Sequence, residues 1–336
     1  MFSRFHQDLP AMRKKEAELF GSSAAGTGCL QFLPVRTLNN VRSVSWDCVT
    51  KNKEGLKYLA YGVNQRQALL APLGFELSII VRSGMDDSVR EALMLMGLLG
   101  GIGARSRRGW GSLSLQILED EGQVLWTAPK NREELETEWR SLERYCLSAD
   151  TPSSQLPPFT VLSHLTRIYL LEEGQDATTI LNHTGKEFQR YRSFGRAGKV
   201  GGHPAEQNFR EDHDLMLSVI QRTIPHRAPE RTIFGLPHNY YFSSKKAGAS
   251  VTSSTQRRAS PLFFHVQKLS NAYGVVVGIL PAVFVPDPVL QINTQASRYS
   301  VPADIDSYYG RIEKFVTGTH PLDGSRRFPE EVSMWC

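Results

Sequence analysis

At 336 residues, 40% hydrophobic and 22% charged, the chain is long enough for two domains and has the composition of a soluble globular protein, not a disordered or fibrous one. Its 39 basic residues against 34 acidic ones leave a formal charge of +5, which favours an anionic partner, nucleic acid first, only weakly. The cysteines Cys29, Cys48, Cys146 and Cys336 include no C-x-x-C pair, so neither a zinc site nor a disulfide framework is expected, and a reduced, cytoplasmic setting is.

Pro10 to Phe20 is expected to be a helix ended by Gly21, followed by a strand over Cys29 to Val35. Between residues 37 and 70, Ser43–Asp47 and Tyr58–Tyr61 flank a lysine-rich turn, which fits a hairpin or a long lobe. Gly74 to Arg82 reads as a strand with Phe75, Leu77 and Ile79 on one face. Asp86 or Asp87 can cap the next helix, whose apolar stripe is Val89, Leu93, Met96 and Leu99. A strand to Leu118 and a helix over Asn131 to Leu147, with Leu135, Trp139, Leu142 and Cys146 aligned, complete the first half. The polar, proline-rich segment from Ser148 to Pro158 is the linker candidate.

The second half opens with a strand from Phe159 to Leu171. A basic segment, Lys186 to Arg210, interleaves Arg190, Arg192, Arg196 and Lys199 with Phe188, Tyr191 and Phe194. That pattern suits backbone contact plus base stacking, or aromatics that pack while the basic residues are solvated. A helix over Glu206 to Ile224, a serine- and lysine-rich loop over Ser243 to Gln256 expected to be mobile, a buried strand from Tyr273 to Val285 and a closing helix over Asp304 to Thr317 follow. Glu18–Gly21 and Thr232–Gly235 echo each other, as two related units would. The first residues lack the apolar core of a signal peptide, and no apolar run reaches the ~18 residues that span a bilayer.

One stretch organises the rest. Gly97 to Gly111 packs Gly101, Gly103, Gly109 and Gly111 around Arg105, Arg107 and Arg108, between a helix and a strand. Glycines let backbone approach a ligand, successive N–H groups can cradle an anion, and guanidinium forks suit phosphate. A dinucleotide fingerprint follows a strand and opens a helix, the reverse of this order, and the Gly-Lys-Ser/Thr of a nucleotide P-loop is absent. The bland alternative is a surface loop with solvated arginines.

The helix followed by Gly-Gly-Ile-Gly-Ala-Arg-Ser-Arg-Arg-Gly-Trp-Gly-Ser-Leu (100–113) resembles the glycine-rich loop of the RAMP superfamily of CRISPR-associated proteins. Glu16-x-Glu18-Leu19-Phe20-Gly21-Ser22, Ile233–Pro237 and Arg257–Leu262 narrow the resemblance to the first-numbered RAMP subunits of the type III-B (Cmr) effector complex, over nearly the whole chain. The resemblance implies an α+β fold of tandem ferredoxin-like domains, 1–150 and 151–336, each β-α-β-β-α-β around a four-stranded antiparallel sheet. The chain begins near the first family helix, so the first domain is expected to lack its N-terminal strand. The resemblance also implies an antiviral, RNA-guided assembly with no catalysis, metal or cofactor of this subunit's own. Its partners would be guide RNA, target RNA and the other Cmr subunits, near the guide 3′ end, with no membrane.

On this reading Arg105, Arg107 and Arg108 contact phosphates, Gly101, Gly103, Gly109 and Gly111 admit the backbone, Arg190 and Arg192 add to the surface, and Arg257 and Arg258 are the second-half counterparts. Trp110 either stacks on a base or packs beneath the loop. Two other classes compete. One is a guide-processing endoribonuclease using histidine, though His203, His213, His226, His238 and His265 repeat no recognised catalytic pattern. The other is an assembly module that touches only protein. The acidic groups Asp86–Asp87, Glu119–Glu121 and Glu172–Glu173 read as a helix cap, a solvated turn and a strand end rather than metal ligands.

Overall fold

The computed structural model describes residues 9–24, 26–63, 66–82, 87–143, 156–255 and 257–335. The segment ahead of the first helix, where the N-terminal strand is expected to be missing, lies outside those residues, as do Asp86, Cys146, Cys336 and most of the proposed linker.

The second half carries the central sheet. Four antiparallel strands lie in the order Leu262–Lys268, Tyr273–Ile279, Arg167–Gly174, Val332–Trp335. Along the chain they run strand, helix Ala177–Arg192, two strands, helix Tyr309–Thr317, strand. Two excursions from this path build a second antiparallel sheet from His238–Phe242, Ala247–Thr252, Val289–Thr294 and Arg298–Pro302.

Both faces of the central sheet are buried, so its strands read as apolar runs rather than alternations. Tyr169, Leu171, Val275 and Val277 join the two helices of this half in one cluster, around Phe188 and Phe315. Ile168, Leu170, Val276 and Met334 face the other way, onto Leu98, Leu135, Trp139 and Leu142. Those last four come from helices Asp87–Leu99 and Arg132–Glu143 of the first half. Helices before residue 150 and the sheet after residue 156 therefore share one core.

Helix Ala177–Arg192 is set by Asp176, whose carboxylate accepts the Thr179 N–H at 2.7 Å. Its stripe Ile180, Leu181, Thr184, Phe188, Tyr191 recurs every three or four residues and is buried. A first-half helix, Glu54–Leu59, crosses it at backbone contact. A Cβ on Gly55 would sit 1.9 Å from the Asn182 carbonyl oxygen, so only glycine fits there. Asn182 Oδ1 accepts the Gly55 and Leu56 N–H groups at 3.1 and 3.3 Å.

The rest of the first half is an irregular two-stranded ribbon. Leu30–Phe32, Arg36–Thr37 and Ser43–Ser45 pair in turn with Ile79–Val81, Phe75–Glu76 and Gln67–Leu69, and the far end carries helices Trp46–Thr50 and Glu54–Leu59. With the hairpin Ile117–Asp120/Gln123–Thr127, these are strand pairs, and among the described residues the first half forms no four-stranded sheet of its own. No helix is long and apolar enough to cross a membrane among the described residues.

Four expectations are corrected. Residues 58–59 are helical rather than part of a strand, because Leu56 and Leu59 bury one helical face against helix Ala177–Arg192. Gly74–Arg82 is two short strands, with Leu77 exposed rather than inward. Residues 243–256 are not a loose loop, since Ala247–Thr252 is a central strand of the second sheet with Val251 fully buried opposite His238. The small residues Ala247, Gly248, Ala249 and Ser250 concealed its alternation. Met96 is also exposed, and Leu98 takes its place in the core.

Candidate nucleic-acid interface

The glycine-arginine loop is pinned at its base. Ile102 N–H bonds Gly111 O at 2.9 Å and Leu113 N–H bonds Gly100 O at 3.3 Å, so the chain leaves and returns at one point. It then runs parallel to the outer strand of the central sheet. The Phe264 N–H bonds Arg107 O at 3.1 Å, the Val266 N–H bonds Ser112 Oγ at 3.0 Å and the Lys268 N–H bonds Ser114 Oγ at 2.9 Å. His265 Nδ1 lies 2.9 Å from Gly100 O. The loop thus satisfies alternate donors of an edge strand that would otherwise be open to pairing.

The glycines serve this docking more than they serve a ligand. A Cβ on Gly101 would sit 2.9 Å from Gly111 O, on Gly109 2.6 Å from Leu181 Cδ1, and on Gly111 2.1 Å from Ile102 O. Gly103 alone of the four, with φ +88°, faces open space. Trp110 packs beneath the loop, edge-on to Trp46 at 4.3 Å.

The arginines do what the glycines do not. Arg107 lies 4.8 Å over Phe263, Arg108 4.9 Å over Phe188, and Arg105 donates to the Tyr61 carbonyl. Arg192, from the end of helix Ala177–Arg192, also lies 4.9 Å over Phe188 and 4.8 Å over Phe234, and it donates to Tyr58 Oη at 3.1 Å. Arg231 lies 5.1 Å over Tyr240, and Arg258 5.5 Å over Phe284 with a donated bond to Val283 O at 3.2 Å. These side chains repel one another in sequence. Partial desolvation and then Arg258 lower Arg107. Burial first, then Arg192, with Arg105 and Arg107 further down, push Arg108 down to about 9. Burial and Arg231 depress Arg192. Burial, Arg231 and Arg192 hold His238 well below its usual value, so it is neutral, and its Nε2 accepts from Arg231 Nη2 at 3.0 Å.

The result is a cationic track, Arg258, Arg107, Arg105, Arg108, Arg192, Arg231, in which all but Arg105 lie over aromatic rings. None of the six makes a salt bridge among the described residues, and Arg108 Nη1, Arg192 Nε, Arg231 Nε and Arg258 Nε are buried without a hydrogen-bond partner. Unpaired like charges held together at a protein surface favour a polyanion. Arg257 is exposed beside a shallow cavity of ≈250 Å³ lined by Pro158, Arg258 and Phe284.

Arg190 does not join the track. It turns to Glu187 at 3.1 Å and Glu206 at 3.8 Å, in a buried network where Arg327 meets both Glu206 oxygens at 2.8 Å. His320 lies 2.9 Å from Glu206 and 3.3 Å from Glu187. Glu187, Glu206 and His320 have the spacing of a cation site, but the Arg327 guanidinium already supplies the positive charge. Among the acidic groups weighed as ligands, Glu172 accepts from Thr184 and faces His183 at 2.8 Å, and Glu173 is paired with Arg132.

Arg231 and Tyr58 are not expected at the site from sequence, and His238 is weighed there only as a candidate catalytic histidine. Arg231 stands without basic neighbours, at the head of the Ile233–Pro237 motif, and Tyr58 is distant in the chain. Asp212 fixes Arg231, its carboxylate accepting the Glu230 and Arg231 N–H groups at 3.0 and 2.8 Å while Arg227 neutralises it.

No protein-family model matches the chain, and no curated protein matches it in sequence. In fold it is similar to the crystal structure of apo Cmr1 from Pyrococcus furiosus, with a TM-score of 0.56 and 15% identity, over 98% of this chain and 85% of that one. A cryo-EM structure of the type III-B Cmr-beta complex bound to cognate target RNA also matches, with a TM-score of 0.43 and 13% identity, over 91% and 86%. Along almost its full length the chain has a Cmr1-like fold of helices on antiparallel sheets.

Proposed function

We propose that the chain is a non-catalytic RNA-binding subunit of a type III-B CRISPR effector complex, contacting guide or target RNA near the guide 3′ end. The observation that carries this reading is the arginine track, six guanidiniums without a carboxylate partner among the described residues, drawn from both halves of the chain. The Cmr1-like fold supports the assignment to that complex. We read the second half, strand-helix-strand-strand-helix-strand, as one ferredoxin-like unit of a tandem, with the first half its reduced counterpart.

Contacts through guanidiniums on a phosphate backbone carry no sequence information, so binding is sequence-independent and weakens with salt. No acid–base pair is needed. His238 is buried with its Nε2 already bonded, and His265 lies inside the sheet. Exposed Phe32, Val35, Leu38, Leu69 and Ile80 along the first-half ribbon suit protein neighbours in the same assembly. Ultraviolet crosslinking of the assembled complex tests the reading. RNA adducts on residues 105–110 and around Arg192 and Arg231 are expected. Adducts confined to other subunits, with this chain crosslinked only to protein, would leave a purely architectural role.

A further inference from the structure

Within the track, three arginines differ from the rest. Arg108, Arg192 and Arg231 come from the glycine loop, the end of helix Ala177–Arg192 and the short turn Glu230–Phe234. Arg108 and Arg192 lie 4.9 Å from the centre of the same ring, Phe188, and each is flanked by another guanidinium. Each has a buried nitrogen without a partner. The Tyr58 hydroxyl accepts from Arg192 and keeps its own proton to donate. Tyr58 itself packs edge-on against Phe188 at 5.9 Å. His238, neutral and acceptor-only at Nε2, fixes the Arg231 fork without adding charge. The rings and the neighbouring backbone fix where each guanidinium stands, and nothing anionic among these side chains explains why they stand together.

We propose that Arg108, Arg192, Arg231 and the Tyr58 hydroxyl form a seat for a single phosphate group of the bound RNA, and that filling it locks the two halves of the chain together. This rests on the RNA-binding reading. Arg108 and Tyr58 belong to the first half and Arg192 and Arg231 to the second, so one phosphate bridges both. A phosphodiester offers two non-bridging oxygens that share one negative charge, and guanidiniums bind these by paired hydrogen bonds. Free of phosphate, the seat is a like-charge cluster that weakens the packing between the two halves. Occupied, that repulsion is offset in part by the single negative charge the three guanidiniums share.

The test uses the full chain and the variants Arg192→Met and Arg231→Met, which keep an apolar stem over the rings and lose the charge. Melting is followed in chloride and in inorganic phosphate at equal ionic strength, and affinity is measured for a single-stranded oligoribonucleotide. The seat predicts that phosphate and RNA each raise the wild-type melting temperature. The variants should melt at or above wild type in chloride, gain nothing from phosphate, and bind RNA roughly tenfold or more weakly. Variants that melt lower while keeping the phosphate shift would make the arginines structural braces and overturn the seat. A phosphate shift in a chain whose RNA affinity is untouched by both variants would make this a free-phosphate site and overturn its assignment to RNA. Arg107→Ala separates the two levels. If it weakens RNA binding while the methionine variants do nothing, the seat fails and the RNA reading stands; if no variant matters, both fail.

Discussion

Removing the Ser112 and Ser114 hydroxyls together should loosen the glycine loop from the central sheet. Each hydroxyl accepts a backbone N–H of the outer strand, from Val266 at 3.0 Å and from Lys268 at 2.9 Å, and Ser112 also donates to Gly109 O at 2.9 Å. Replacing both serines by alanine leaves two strand donors without their acceptors. The Val266 donor is half-buried, and its loss should cost about 1–3 kcal/mol; the more exposed Lys268 donor can turn to water and should cost about 0.5–1 kcal/mol. A total near 2.5 kcal/mol corresponds to a fall in melting temperature of roughly 3–5 °C for a cooperative unit of this size. Calorimetry or far-ultraviolet circular dichroism reads the fall, with Ser112→Thr as the control that keeps a hydroxyl. Because Arg107 and Arg108 ride on the same loop, RNA affinity should drop in step. A double variant that melts within a degree or two of wild type would mean that these bonds do not hold the loop, and the account of its position would be wrong.

Acid should destabilise the fold through His265. Burial pushes its ring down to about 4 against the hydrogen bonds with Gln267 and Gly100, whereas the unfolded ring titrates near 6.5. The unfolded chain takes up the proton first as pH falls, so this contribution is complete above about pH 6.5 and declines towards pH 4, by about 3 kcal/mol. Urea unfolding across that range measures the decline, and His265→Gln should flatten it. Arg190→Ala and Arg192→Met, two positions apart, should separate: the first lowers stability by about 1–3 kcal/mol through its carboxylate partners and leaves RNA affinity within about twofold, while the second does the opposite. Glu206→Gln turns one of the two acceptors of the paired Arg327 bonds into a donor and leaves Glu187 as that buried guanidinium's carboxylate, which should cost about 1.5–3 kcal/mol in equilibrium unfolding.

The sequence made the long elements legible where a strong period met clear ends. Helix Arg132–Glu143 shows Leu135, Trp139 and Leu142 at steps of four and three, and all three are buried to within 1%. The Gly21 stop of the first helix is equally plain, with φ +81°. What failed was structure set by distant partners. Ala247–Thr252 is a strand because Val251 and Ala249 find the second sheet, not because of its own composition. The site followed the same rule. The loop arginines and Arg192 could be picked out as charge beside aromatics, but Arg190 and Arg192 share that signature and part company on opposite sides of one helix. Which of them is free depends on Glu206, His320 and Arg327, far away in the chain. Arg231 offered no local cue, since only folding brings it beside Arg192. The glycines were visible for a reason the structure revises, because most of them permit the loop to close on itself.

The salt dependence of RNA binding tests the track most directly. For wild type and Arg107→Ala/Arg192→Met, affinity for one single-stranded oligoribonucleotide is measured at several monovalent salt concentrations. Each lost phosphate contact should reduce the slope of log affinity against log salt by about 0.7, so the double variant should bind more weakly with a slope shallower by about 1.4. An unchanged slope at unchanged affinity would contradict the claim that these guanidiniums hold an RNA backbone.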